Sequence, residues 1–262
     1  MSADGPVVVA RDGDVTIVTI NRVEVRNAVD RATSEGLASA FADFEDDPTS
    51  NVGLLTGAGG TFCAGADLQA IASGDLDRAN RVERHGNGPL GPTRMVLSKP
   101  VVAAVEGHAV AGGLELAIWC DLRVAAKNAV FGVFCRRWGV PLVDGGTVRL
   151  PRLIGQSHAM DMILTGRPVG AYEALAMGLA NRLCEPGHAL EEALALAHQI
   201  AAFPQGCLRS DRKSALEGWD LDLAAAMANE TSLGLSVIRS GETLEGAERF
   251  AGGSGRHGSF GR

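Results

Sequence analysis

The sequence predicts an α/β fold with a helical C-terminal region. Three observations carry that reading. Strand-like and helix-like segments alternate through the first two-thirds of the chain, and helical periodicity alone fills the last third. Two glycine-rich stretches also stand where a buried strand passes into a helix.

Residues 7–20 (VVVARDGDVTIVTI) read as two strands around a turn, because branched residues flank Asp12-Gly13. Asp30 is placed to cap a helix running to about residue 45, with Leu37, Phe41 and Phe44 on one face and Pro48 closing it. NVGLLTG (51–57) is a buried strand, followed by the glycine-rich GAGGTFCAGADL (57–68). Residues 72–92 mix charges with GNGPLGP and predict an irregular segment. KPVVAAVEG (99–107) is a strand introduced by proline, GHAVAGGLELAIWC (107–120) a turn opening into an apolar helix, and DLRVAA (121–126) another strand. HALEEALALAHQIAAF (188–203) is an amphipathic helix with apolar residues at 190, 194, 197 and 201, and two more helical patterns lie near 220–238 and 242–251. No repeat or Pro/Gly/Ser-rich linker splits the chain. The division expected is a core over residues 1–200 and a helical region over 201–262.

Composition narrows the function. The 262 residues are 46% hydrophobic and 21% charged, ordinary for a soluble protein. No apolar run approaches the roughly 20 residues a membrane helix needs. The N-terminus (MSADGPVVVARDGDV) lacks the order of a signal peptide, so a cytoplasmic location is expected, without a membrane partner. The cysteines at 63, 120, 135, 184 and 207 form no CxxC pair, and the six histidines are dispersed. Free thiols and no metal site are expected. A net charge of −7 argues against a nucleic-acid partner. It does not exclude a small anion, because fields are screened over about 8 Å at physiological salt and local arginines can outweigh the global sign.

GAGGTFCAGADL invites a phosphate-loop reading, yet neither GxxxxGK[ST] nor GxGxxG is present. Taken alone it is a turn. VEGHAVAGGLELAIWCD repeats its logic, with small residues that admit a close ligand at a helix start rich in unpaired N–H donors. Two such loops can aim two N–H groups at one oxygen, as an oxyanion hole does.

The pair FCAGADL (62–68) and AVAGGLELAIWCD (109–121) resembles the signature of the enoyl-CoA hydratase/isomerase (crotonase) superfamily. NRVEVRNAVD (21–30), FGVFCRRWGVPLVDGGTVRLPRLIG (131–155) and LTGRPVGAYEALAMGLANRL (164–183) resemble further blocks of that family, in order, from about residue 7 to 250. The resemblance implies a spiral of ββα units and an acyl-CoA substrate whose thioester carbonyl sits between the N–H groups of Ala66 and Gly112. It also implies coenzyme A contacts at Arg26, Ala28, Ala64, Asp67 and Leu68, with Phe260 as a looser match to an aromatic that meets the adenine of a neighbouring subunit. Coenzyme A arrives as part of the substrate, and no separate cofactor is implied. Homotrimers or dimers of trimers are the implied assembly, with the helical 201–262 region serving oligomerisation and covering the site. The implied setting is fatty-acid or related acyl-CoA metabolism.

The resemblance places one working glutamate at Glu115, three residues after Gly112 and so on about the same helical face. Its neighbours Leu114, Leu116, Ala117, Ile118 and Trp119 leave little room for a solvated face. The second glutamate of a hydratase falls where this chain has Cys135, either a small buried thiol or a thiolate favoured by Arg136 and Arg137. Asp144, before Gly145-Gly146-Thr147, matches a position where other members place their working acid; its alternative role is an N-cap. Hydration and double-bond migration both remain open, with Glu115 and Asp144 moving protons. The alternatives are another reaction of the superfamily (dienoyl-CoA isomerase, dehalogenase, hydrolase) or an acyl-CoA binder without turnover. An RNA-binding relative is disfavoured, since residues 30–47 hold six acids against Arg31 alone.

Overall fold

Alternating branched residues build β1 (Val7–Asp12) and β2 (Val15–Ile20), which pair antiparallel with Val7 opposite Ile20. These coordinates come from a computed structural model that describes residues 5–255. The hairpin loop is Gly13-Asp14 rather than Asp12-Gly13. Gly13 takes φ +54, which glycine adopts without strain, and Asp12 stays in register opposite Val15.

From β2 the sheet runs parallel through β3 (Val52–Gly57), β4 (Val101–Val105), β6 (Leu122–Ala126) and β9 (Arg182–Cys184), in the order β1-β2-β3-β4-β6-β9. Strands β3 and β4 are almost wholly buried, as their unbroken apolar runs require. A small second sheet joins β5 (His108–Val110), β7 (Val130–Gly132) and β8 (Val169–Gly170). Three-residue β5 lies where the sequence predicts a turn; it is too short to show an alternating pattern and exists through its pairing with β7.

Helices α1 (Arg31–Asp46), α2 (Leu68–Ala72), α3 (Gly112–Trp119), α4 (Gly146–Ile154), α5 (Gln156–Thr165), α6 (Ala171–Ala176) and α7 (Ala189–Ala201) complete this part of the chain. Asp30 caps α1 by accepting the Thr33 N–H at 2.9 Å, and Leu37, Phe41 and Phe44 are buried. In α7 the buried face is Ala189, Ala193, Leu196 and Ala197, rotated from the expected stripe, and Leu190 is 41% exposed.

The chain divides into two compact units, Met1–Ile200 and Ala201–Arg262. The second contains α8 (Gln205–Glu217), α9 (Leu223–Ser240) and α10 (Glu242–Ala251). Helix α8 is not among the helices expected from the sequence, because its thirteen residues (QGCLRSDRKSALE) are mostly polar and charged and only Cys207, Leu208, Ala215 and Leu216 are apolar, too few to set a periodicity. Phe260 lies outside the described residues. Among those described, no helix is long and apolar enough to cross a membrane, and no group of side chains is placed to hold a metal ion.

Candidate active site

Backbone register brings the two glycine-rich loops side by side. Cys63 bridges to Ala109 in parallel fashion: Cys63 N–H donates to His108 O at 2.9 Å, and Val110 N–H to Cys63 O at 3.1 Å. The loops then approach too closely for side chains. A Cβ on Gly65 would lie 2.8 Å from Gly112 N, and one on Gly113 would lie 2.1 Å from Cys63 O. The bridge between Val29 and Ala66 uses Gly65 O and Asp67 N, which turns the Ala66 N–H away from Val29. Gly112 is the first residue of α3, so its N–H has no carbonyl one turn earlier to meet. Neither N–H has a protein acceptor among the described residues, and both residues line one cavity of about 240 Å³. Ala111 is held at φ +54, ψ −124, a conformation that residues with a Cβ seldom take, and its N–H is fixed by Gly132 O at 2.8 Å. Strain is thus stored at the residue that aims the Gly112 N–H.

Two carboxylates line the same cavity. Glu115 is 2% exposed, and its Oε1 accepts the N–H groups of Asp144 (2.9 Å) and Gly146 (2.8 Å). Asp144 is also buried; its Oδ1 accepts the Leu90 N–H at 2.9 Å and the Thr93 hydroxyl. One oxygen of each acid is therefore fixed, and the other has no protein donor among the described residues. Burial, reinforced by the charge of Asp144, pushes Glu115 up to about 7, against the pull of the Gly146 and Asp144 N–H groups and of Arg149. Burial also raises Asp144, opposed by the Thr93 hydroxyl, the Leu90 N–H and the charges of Arg94 and Arg149. Two buried acids that burial makes harder to ionise can exchange protons with a bound molecule, and two N–H groups without a protein acceptor among the described residues can hold its polarised oxygen.

The capping role considered for Asp144 does not occur. Its carboxylate turns to Leu90 and Thr93, Gly145 precedes α4 without a side-chain cap, and Glu115 satisfies the Gly146 N–H that opens the helix. Of the two readings of Cys135, the structure favours the small buried thiol. Burial and the charge of Glu115 raise this thiol, outweighing Arg136, so it stays neutral in the cavity wall.

Of the expected coenzyme A contacts, Ala64 and Leu68 line the cavity, whereas Arg26, Ala28 and Asp67 do not. Asp67 is occupied in capping α2 through the Gln69 and Ala70 N–H groups and in pairing with Arg22 at 3.1 Å. Arg26 is exposed, and its carbonyl accepts the Ala64 N–H at 3.1 Å. The sequence reading missed the scaffold beneath this segment. Arg22 also reaches Asp30 at 3.0 Å, and the buried amide of Asn27 donates to Ala58 O (2.8 Å) and Thr61 O (2.6 Å), tying residues 21–30 to the first glycine loop. It also missed Thr93 and Arg149, which carry no motif of their own; a basic residue five positions after Asp144 on a predicted helix was the one available signal. The 72–92 segment supplies Asn80, Val82, Pro89 and Leu90 to the cavity, which Phe134 and Trp138 also line.

Known proteins resemble this chain over nearly its whole length. The family described as enoyl-CoA hydratase/isomerase matches residues 10–254. Enoyl-CoA hydratase EchA19 of Mycobacterium tuberculosis is 36% identical over 253 residues, covering 93% of this chain and 92% of that protein. A carnitinyl-CoA dehydratase of Salmonella typhi is 35% identical over 251 residues, covering 92% and 93%. Among solved structures, an enoyl-CoA hydratase from Mycobacterium tuberculosis H37Rv superposes with a TM-score of 0.89 at 39% identity, covering 95% of this chain and 96% of that one.

Proposed function

The chain belongs to the enoyl-CoA hydratase/isomerase family, an enzyme acting on acyl-CoA thioesters, and from that premise we propose how its residues divide the work. The N–H groups of Ala66 and Gly112 bind the thioester oxygen and stabilise the enolate that forms when a proton leaves or joins the carbon beside the carbonyl. The N-terminal end of α3 adds its dipole to that charge. Glu115 and Asp144 transfer the protons through their unanchored oxygens. The observation that carries this reading is the meeting of two unpaired N–H donors and two half-anchored buried acids around one cavity.

Coenzyme A enters with the substrate, contacting the Arg26–Ala28 segment and residues 64–68, and no further cofactor takes part. Because Cys135 stands where a second glutamate would position water, double-bond migration is favoured over water addition. Exposed Leu164 and Tyr172 in the first unit, and Leu223 and Phe250 in the second, support assembly into a trimer or a dimer of trimers. The five thiols are unpaired in keeping with a reducing, cytoplasmic setting.

The test is liquid chromatography that separates the two isomers, coupled to mass spectrometry, of the purified protein with crotonyl-CoA and with vinylacetyl-CoA, scoring water addition by mass and double-bond migration by retention. Turnover of either supports the reading. Tight binding of both without turnover would make the protein an acyl-CoA binder.

A further inference from the structure

We propose that Arg149 is the positioning residue of the acid pair: its guanidinium bridges the turn that carries Thr93 to the loop that carries Asp144, and it supplies the positive charge that keeps both acids usable as bases. The inference rests on the proposed roles of Glu115 and Asp144.

Arg149 Nη1 donates to the carbonyl oxygen of Asp144 at 3.0 Å, and Nη2 donates to the carbonyl oxygen of Thr93 at 2.7 Å. Thr93 in turn gives its hydroxyl to Asp144 Oδ1. The ring Arg149–Thr93–Asp144 therefore closes on itself and fixes the carboxylate from the main chain on one side and from the side chain on the other. Neither bond goes to a carboxylate, so the cation is not consumed in an ion pair with either acid. A guanidinium suits this place because its planar fork reaches two carbonyls at once, which an ammonium does not. Gly145 leaves the room, since a Cβ there would lie 2.1 Å from Arg149 Nη1.

The charges around the pair leave few other sources of this effect. Glu115 faces Asp144 and Arg149, with the neutral Cys135 beside it. Asp144 faces Arg94 and Arg149, with the neutral Cys63 nearby. Arg149 itself faces both acids, Cys120 and Arg152. Arg94, whose Nη1 donates to Glu83 O at 2.6 Å, weighs more than Arg149 on Asp144, but Arg149 weighs on Glu115 as well and is the cation shared by the two acids.

The experiment is the pH profile of vinylacetyl-CoA migration and crotonyl-CoA hydration for wild type, Arg149→Lys, Arg149→Met and Thr93→Val. Removing the cation disfavours the ionised acids, so the acid limb of kcat/KM in Arg149→Met is expected to move up by about one pH unit, a tenfold change in proton affinity. Arg149→Lys keeps the charge and loses the two-point clamp; its limb is expected to stay while kcat falls at least about tenfold. Thr93→Val is expected to lower kcat and to raise the limb of migration at least as far as Arg149→Met does, since the Thr93 hydroxyl opposes the rise of Asp144 more than Arg149 does, while the limb of hydration, set by Glu115, stays in place. If Arg149→Met fails to fold, Arg149→Lys and Thr93→Val still decide the matter. Unshifted limbs with unchanged kcat in folded variants would overturn the inference, whereas an inactive wild type would overturn the proposed function beneath it.

Discussion

Glu115 Oε1 accepts the main-chain N–H of Asp144 at 2.9 Å, so one acid of the site is anchored by the backbone of the other. Neither can move without disturbing its partner, and each raises the cost of ionising the other. Glu115 titrates near 7 in the folded protein, against 4.5 for a free glutamate. The folded state therefore holds this proton more firmly than the unfolded chain. The stabilisation is complete below the unfolded value and is lost as pH rises through about 7, with an upper limit of about 3 kcal/mol. Glu115→Gln keeps an oxygen for the two N–H groups and removes the titration. Its melting temperature is expected to match wild type at about pH 4 and to exceed it by a few degrees at about pH 8. Thermal melts at both pH values check this, and parallel curves would remove the assigned shift.

Gly65→Ala is expected to damage chemistry more than binding. The added Cβ lands 2.8 Å from Gly112 N, at a residue whose φ of +94 already suits glycine, so the two loops must part. Misplacing one oxyanion donor costs about a hundred- to a thousandfold in rate. Affinity for butyryl-CoA, which is not turned over, should fall far less. Equal losses in kcat and in affinity would point to general disorder of the site.

Much of this was legible in the sequence because the site is local. Gly112 and Glu115 sit one turn apart on α3, and the two glycine loops follow buried strands, so pattern and spacing suffice to place them. The sequence offers a reason for small residues in these loops, room for a ligand, whereas at 65 and 113 the glycines make room for the other loop. What escaped depends on contacts between distant segments. Thr93 meets Asp144 across 51 residues, and the anchoring of Glu115 by Gly146 spans 31. No periodicity encodes such pairs. Asp144 illustrates the limit: before Gly145-Gly146 it has the local signature of a cap, yet tertiary donors at Leu90 and Thr93 hold it instead.

Asp144→Asn separates proton transfer from support. An amide oxygen at the same place still accepts the Leu90 N–H and the Thr93 hydroxyl, so folding is expected to survive. The amide cannot take up a proton, and migration of the vinylacetyl-CoA double bond should fall roughly a hundred- to ten-thousandfold. Glu115→Gln should harm migration less and any water addition more. A well-folded Asp144→Asn enzyme with full migration activity would leave Glu115 as the sole base.

Cys135→Glu tests why this site favours migration. Residue 135 lies in the 3₁₀ turn Phe134–Trp138, is 7% exposed and faces the cavity of about 240 Å³, which has room for a longer side chain. A thiol raised by burial and by Glu115 neither activates nor orients water; a carboxylate there would do both. The new acid brings a cost as well. A third carboxyl near two acids disfavours ionisation of all three, so the gain should emerge only above the pH at which Glu115 loses its proton, about 7. The expected result is a rise of about tenfold or more in crotonyl-CoA hydration at about pH 8, with little change at about pH 6, while vinylacetyl-CoA migration, served by Asp144, stays within about threefold. Cys135→Gln has nearly the same bulk without the base and should add no hydration. A rise shared by the Gln variant would trace the effect to cavity shape rather than to the carboxylate, and a folded Glu variant without gain at either pH would mean that position 135 does not decide between the two reactions.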